Sequence, residues 1–241
     1  MDEFKFKEED ATGFETLDVI ADADRFNAWM YQTILPYCHG DILEIGSGIG
    51  NISNFFVSAQ SSIVLSDIRS NYCEMLSTKF PDAEVINLDL VHPDFDDAYK
   101  LLLGKFDTVF ALNVVEHIKN DVLAVGNCAK LLKPGGTVVV LVPAYQLLYN
   151  RFDRELEHFR RYTRKSLKQL FTTNGFQITA SRYFNAMGIL GWIVSGGFLK
   201  RKTISGNHMA LYDKLVPVWK VLDVLLLRRI GLSVIVVGRK K

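Results

Sequence analysis

Cysteine is scarce: the 241 residues hold three, Cys38, Cys73 and Cys128. They are far apart, odd in number and form no CxxC pair. That excludes a disulfide framework and a zinc ribbon, so reduced thiols in a cytoplasmic setting are expected, with no metal. Charge of one sign is also missing. The formal net charge is +1, which gives no field for nucleic acid, and none is expected as a partner. The start, Met1-Asp2-Glu3-Phe4-Lys5, lacks the apolar stretch of a signal peptide. No clean apolar run of about 18 residues marks a spanning helix. The nearest, Tyr183 to Leu199, contains Asn185, Ser195 and four glycines. Internal repeats and low-complexity tracts are absent too.

What remains is an ordinary globular composition, 49% apolar and 23% charged. Polar residues occupy the first stretch, to about residue 15, and a helical pattern runs from Leu17 to Tyr37. Short apolar runs then alternate with helical segments. Asp41–Ile45, Ser62–Ser66, Ala83–Leu88, Phe106–Leu112 and Thr137–Val142 read as strands. Helices are expected from Asn51, over Ser70–Lys79 and over Asp121–Leu132, the last closed by Lys133-Pro134-Gly135-Gly136. Nearly continuous apolar strands joined by helices of about ten residues predict βαβ units, a parallel sheet covered on both faces and a doubly wound α/β fold. After Val142 the rhythm changes. Residues 144–164 form a polar, aromatic and basic connection, Arg164–Thr173 a helix ended by Gly175, and Phe176–Phe184 and Leu232–Gly238 two more strands.

A glycine-rich turn between a first strand and a helix is a ligand site by geometry. It lies at the strand's carboxyl end, beside a helix N-terminus. The dinucleotide fingerprint is G-x-G-x-x-G. Here Gly46-x-Gly48-x-Gly50 brings the third glycine one residue early, which favours a nucleoside ligand without a pyrophosphate over NAD. The plain alternative is a tight strand-to-helix turn. Asp67 follows the second strand, where a carboxylate can accept from a ribose diol or cap the next helix. Asp89 ends the third, where it can accept from an exocyclic amine or sit in a solvated turn.

In sequence, Glu44-Ile45-Gly46-Ser47-Gly48-Ile49-Gly50-Asn51, Asp67, Asp89, Phe106–Ile118 and Leu131-Leu132-Lys133-Pro134-Gly135-Gly136 resemble, in order, five motifs of the class I S-adenosylmethionine (SAM)-dependent methyltransferases. Ser47 and Ile49 replace the commoner Cys or Ala and Thr. The resemblance implies a Rossmann-like seven-stranded sheet whose last strand is antiparallel, with SAM as cofactor and S-adenosylhomocysteine (SAH) as product. It implies cofactor contacts from Glu44, Gly46, Ser47, Gly48, Gly50 and Asn51, from Asp67 with Ile68, from Asp89 with Leu90, and from Asn113. For Glu44, a buried carboxylate bonded to backbone amides is an alternative to meeting the SAM ammonium. On this reading one domain comprises an N-terminal helical segment (1–40), a SAM-binding core (41–184), a helical insertion (185–230) and a last strand with a basic tail (231–241).

The acceptor is sought in two blocks and the insertion. Glu116-His117 follows the fourth strand, and His117 is either a base or a packed residue. Residues 145–163 follow the fifth, and their D-x₄-H-x-R-R-Y-T pattern resembles a bacterial subgroup of the family. Asp153 could orient His158 as a general base. Tyr145, Arg160, Arg161 and Tyr162 are candidates to hold a carboxylate or phosphate, the alternative being a salt-bridged surface loop. Asn185–Ile230 carries seven Lys or Arg (200, 201, 202, 214, 220, 228 and 229) against Asp213 and Asp223. Apolar faces with basic edges fit a membrane surface or a lipid-like substrate; a plain helical subdomain is the alternative. The expected acceptor is a small molecule or a lipid- or sugar-linked one. A nucleotide-dependent oxidoreductase or epimerase is disfavoured, because no Tyr-x-x-x-Lys pair is present. A SAM-binding partner subunit without catalysis is the other alternative.

Overall fold

The computed structural model describes residues 11–194 and 206–241. Seven strands make one sheet: β1 (Ile42–Ile45), β2 (Ile63–Asp67), β3 (Glu84–Asn87), β4 (Phe106–Leu112), β5 (Leu132–Pro143), β6 (Phe176–Phe184) and β7 (Ser233–Lys240). Their order is β3-β2-β1-β4-β5-β7-β6. The first five run parallel, and β7 is antiparallel to both β5 and β6. This is the doubly wound sheet expected from the alternation, with the seven strands and antiparallel last strand that the resemblance implies.

Helices fill the connections: α1 (Ala11–Ala21), α2 (Asp24–Ile34), α3 (Ser53–Ser58), α4 (Ser70–Lys79), α5 (Phe95–Ala98), α6 (Asp121–Leu131), α7 (Arg151–Glu155), α8 (Arg164–Thr173), α9 (Gly188–Trp192), α10 (Gly206–Lys214) and α11 (Val216–Leu225). Period-2 burial divides each strand between two cores. Val138 and Val140 join α6 and α8 residues such as Leu131, Leu167 and Phe171. Val139 and Leu141 face the other way, with Met30, Ile34, Phe56 and Leu76. Burial on both faces explains why β1, β2 and β5 lack polar alternation.

Three boundaries differ from expectation. The first helical stretch is two helices, broken at Asp22–Ala23, and it starts at Ala11 rather than Leu17. The Lys133–Gly136 turn lies inside a long β5 that begins at Leu132, with a register shift against β4 between Phe106 and Thr108. Within 144–164, α7 is a short helix closed by a capping box: Asn150 accepts from the α7 backbone and Asp153 accepts from the Asn150 N–H. The insertion is helical where described, with its basic triplet Lys200-Arg201-Lys202 outside the described residues.

The order in which strands are added reverses between β1 and β4, which are parallel neighbours. Crossovers on opposite sides leave a crevice beyond the carboxyl ends of these two strands. The β1 loop, Asp67, Asn113 and the segment after β5 all open onto it.

Candidate active site

One cavity of about 700 Å³ occupies that crevice. The β1 loop forms its floor. Gly46 has φ +68°, and a Cβ there would stand 2.4 Å from Val114 Cγ2; a Cβ on Gly48 would meet Leu17 at 2.9 Å. Only glycine allows both the left-handed backbone and the close approach. Ser47 ties the loop to β2: its N–H donates to the Ser66 carbonyl at 2.8 Å, and its Oγ accepts from the Ser66 N–H. Asp67 is buried. Its carboxylate accepts from the N–H groups of Gly48 and Arg69, each at 3.0 Å. Burial nevertheless raises its pKa, against those hydrogen bonds.

Glu44, Gly46, Ser47, Gly48, Asn51, Asp67, Ile68, Asp89, Leu90 and Asn113 all line this cavity. Gly50 stands behind the wall: at φ +80°, its missing Cβ makes room for the Phe80 ring, so it serves helix packing. Glu44 is buried and accepts from Ser53 Oγ at 2.5 Å. Burial pushes its pKa up to about 7, against hydrogen bonds from Ser53 and Ser47. Asp89 Oδ1 accepts from the Val91 N–H at 2.8 Å, an Asx turn that fixes the carboxylate at the rim.

The far end of the cavity is built from two segments distant in sequence. A 3-10 turn after β4 carries Glu116 and His117, and the connection after β5 carries His158. The Phe159 N–H donates to the Glu116 carbonyl at 2.8 Å, which brings the two together. The rings of His117 and His158 then meet edge to face, 4.6 Å apart. Asp153 lies behind them, fully buried. Its Oδ1 accepts from His158 Nδ1 at 2.9 Å and from Arg161 Nε at 2.7 Å, and its Oδ2 accepts from the Asn150 N–H at 2.9 Å. Burial opposes its charge, but the bonds from His158 and Arg161 outweigh that and hold its pKa below the usual carboxylate value. An ionised Asp153 keeps the proton of His158 on Nδ1 and leaves Nε2 with its lone pair.

Arg161 is on the cavity wall, paired with Asp153 and lying over the Trp192 ring at 4.4 Å. The other three acceptor candidates are committed elsewhere. Arg160 pairs with Asp121 at 2.7 Å and donates to the Lys119 carbonyl. The Tyr162 hydroxyl donates to Asp121 at 2.7 Å. Tyr145 stacks on Tyr183. None of the three lines the cavity, because alternate residues of this irregular segment face α6 and β6 instead.

Sequence reasoning missed several wall residues. Thr16, Leu17 and Ile20 of α1 cover the loop, and Asn51 Nδ2 donates to the Leu17 carbonyl at 2.9 Å. From α2, Phe26 and Met30 reach the cavity, and Trp29 stays in the core. Trp192, His208, Met209 and Tyr212 bring the insertion into the wall. Buried Asp223 anchors that insertion by accepting from the Asn185 and Ala186 N–H groups at 2.7 and 2.8 Å.

Comparison with known proteins agrees with this fold. A family model described as a methyltransferase domain matches residues 22–181. A SAM-dependent methyltransferase of Mycolicibacterium smegmatis is 24% identical over 173 residues, 69% of this chain and 65% of that protein. A ubiquinone biosynthesis O-methyltransferase of Erwinia tasmaniensis is 26% identical over 118 residues, 47% of this chain and 48% of that one. The chain thus spans less than two thirds of either relative. Phosphoethanolamine N-methyltransferase 2 of Haemonchus contortus, solved with SAM, shares the fold, with a TM-score of 0.63 at 17% identity, covering 98% of this chain and 60% of that one.

Proposed function

The chain belongs to the class I SAM-dependent methyltransferases, and from that premise we propose that it methylates a hydroxyl-bearing small molecule, or a lipid- or sugar-linked one, held at the His117–His158 end of the cavity. The observation that carries this reading is continuity: one cavity joins the Gly46–Gly48 loop and Asp67 to His158, whose ring is held from behind by Asp153.

The residues fit SAM. The loop glycines hold the left-handed backbone that forms the cavity floor, and a buried carboxylate, Asp67, stands beside them. Asp67 serves the ribose hydroxyls, Asp89 with Ile68 and Leu90 the adenine, and Glu44, Asn113 and the loop amides the methionine end. Bound SAM supplies an electrophilic methyl on sulfonium sulfur. The chain's task is to align an oxygen behind that methyl and to relieve it of its proton. His158, oriented by Asp153, meets that hydroxyl, with His117 against its edge. Arg161 attracts an anionic group on the acceptor.

The insertion serves as the acceptor-side wall of a single domain. Its outer face supports a peripheral, cytoplasmic-side membrane contact: Val218, Val221, Val224, Leu225 and Leu227 are exposed beside Arg228 and Arg229. Among the described residues no helix is long and apolar enough to cross a membrane. Calorimetry with SAM, SAH and NAD tests the central reading. Binding of SAM and SAH is expected; binding of NAD alone would overturn it.

A further inference from the structure

Glu116 is the anomaly of this site. Its side chain is fully buried, and among the described residues neither carboxylate oxygen has a hydrogen-bond partner. A buried carboxyl group without partners costs several kcal/mol or more, and native structures almost always satisfy one, with protein, water or an ion. Two imidazoles stand next to it. One ligand atom from each of Glu116, His117 and His158 lies within 4.8 Å of the other two.

The two histidines are set up alike. His158 gives its Nδ1–H to Asp153. The Leu156 carbonyl stands beside the His117 ring and draws one ring N–H toward it. Each therefore keeps a lone pair on its other nitrogen. Donation of the second ring N–H to a carboxylate or a backbone carbonyl is the arrangement that orients metal-binding histidines. Asp153 is itself fixed by Arg161 and the Asn150 N–H, so this supporting layer is complete before any ion arrives.

From this we infer that Glu116, His117 and His158 form a binding site for one divalent transition-metal ion at the acceptor end of the cavity. Two imidazoles and one carboxylate suit ions of the zinc, cobalt and iron(II) class rather than magnesium or calcium. All three residues line the cavity, so further coordination positions are open to water or to an acceptor oxygen. The inference rests on the acceptor-chamber reading above and sharpens it: His158 meets the acceptor hydroxyl through a cation. A coordinated hydroxyl releases its proton to water more readily, and the resulting oxygen then takes the methyl as the sulfur–carbon bond breaks with its electron pair left on sulfur.

The test is a Co²⁺ titration of the untagged full chain, read by visible d–d absorption, with Zn²⁺ calorimetry in parallel. One ion per chain is expected for each metal. Glu116→Gln and His117→Ala are each expected to weaken binding at least tenfold, and Asp153→Asn, which acts through His158, by about 10-fold to 100-fold. SAH calorimetry on the same samples verifies folding and separates the two readings. SAH binding without stoichiometric Co²⁺ binding in the wild-type chain overturns the cation site and leaves the methyltransferase reading intact. Absence of SAH binding refutes that underlying reading instead. Undiminished Co²⁺ binding in the Glu116→Gln/His117→Ala double variant also overturns the assignment.

Discussion

Replacing Asp153 by Asn should separate catalysis and stability from cofactor binding. The carboxylate is fully buried and accepts three hydrogen bonds, from His158, Arg161 and the Asn150 N–H. An amide of the same shape has one accepting end. If its oxygen faces His158 and Arg161, its NH₂ opposes the Asn150 N–H. If it is flipped, two donors confront the NH₂. In either orientation Arg161, which is also buried, loses its counter-charge. Breaking one side of a buried ion pair costs about 3–5 kcal/mol, and we expect about 3 because Arg161 keeps its bond to the Ala144 carbonyl and its stacking on Trp192. For a chain of this length that lowers Tm by roughly 6–12 °C. The same change frees His158 to move its proton to Nε2, the nitrogen that does not face Asp153. Turnover should then fall by about 10²-fold or more, in line with losses seen when a carboxylate that orients a histidine is neutralised. SAH affinity should stay within about twofold, since Asp153 is not on the cofactor wall. Urea denaturation and SAH calorimetry on one preparation measure stability and affinity, with turnover followed from labelled SAM in extract. A stability loss under about 0.5 kcal/mol, the range of an ordinary surface substitution, would refute the buried-pair argument. A tenfold loss of SAH affinity would refute the separation of the two ends of the cavity.

Other expectations follow from the same geometry. Gly46→Ala forces a Cβ against Val114 at a left-handed φ, so SAH affinity should fall at least tenfold by calorimetry, and a retained affinity would mean that the loop moves freely. Glu44 has its pKa pushed up to about 7 in the folded chain. Because that value is raised, its stabilisation is present below about 4.5 and is lost as pH rises through 7. Glu44→Gln should flatten that limb in denaturation curves taken between pH 5 and 8, and an unaltered slope would place the titration elsewhere. Vesicles rich in anionic lipid should co-sediment the chain at low salt, with release as salt rises and loss in Arg228→Glu/Arg229→Glu; no binding at low salt would remove the membrane contact.

The first half of the cavity was readable because its residues follow a rule that sequence carries. Apolar runs mark buried parallel strands, and a cavity-facing group sits where each run stops. Asp67 and Asp89 are such groups, as is Asn113 one residue beyond β4. The exception is informative. Gly50 has the spacing of a loop glycine, yet its direction is set by Phe80, thirty residues on, which no local pattern announces.

The other half obeys no period. Residues 145–163 form short turns, so neighbours in sequence diverge in space: Arg161 turns inward to Asp153, and Arg160 turns outward to Asp121. Composition alone weighs the two arginines equally. What separates them is the buried carboxylate, which can be reached from one position only. The same carboxylate explains why His158 and Glu116, forty-two positions apart, share a chamber. Asp153 fixes the His158 ring, the Phe159 N–H binds the Glu116 carbonyl, and the Glu116 side chain is left facing the two imidazoles with no donor of its own among the described residues. A lone Glu-His pair after β4 reads as a helix start. Only when the folded chain sets a second, pre-oriented histidine beside it do the three become a candidate set of ligands.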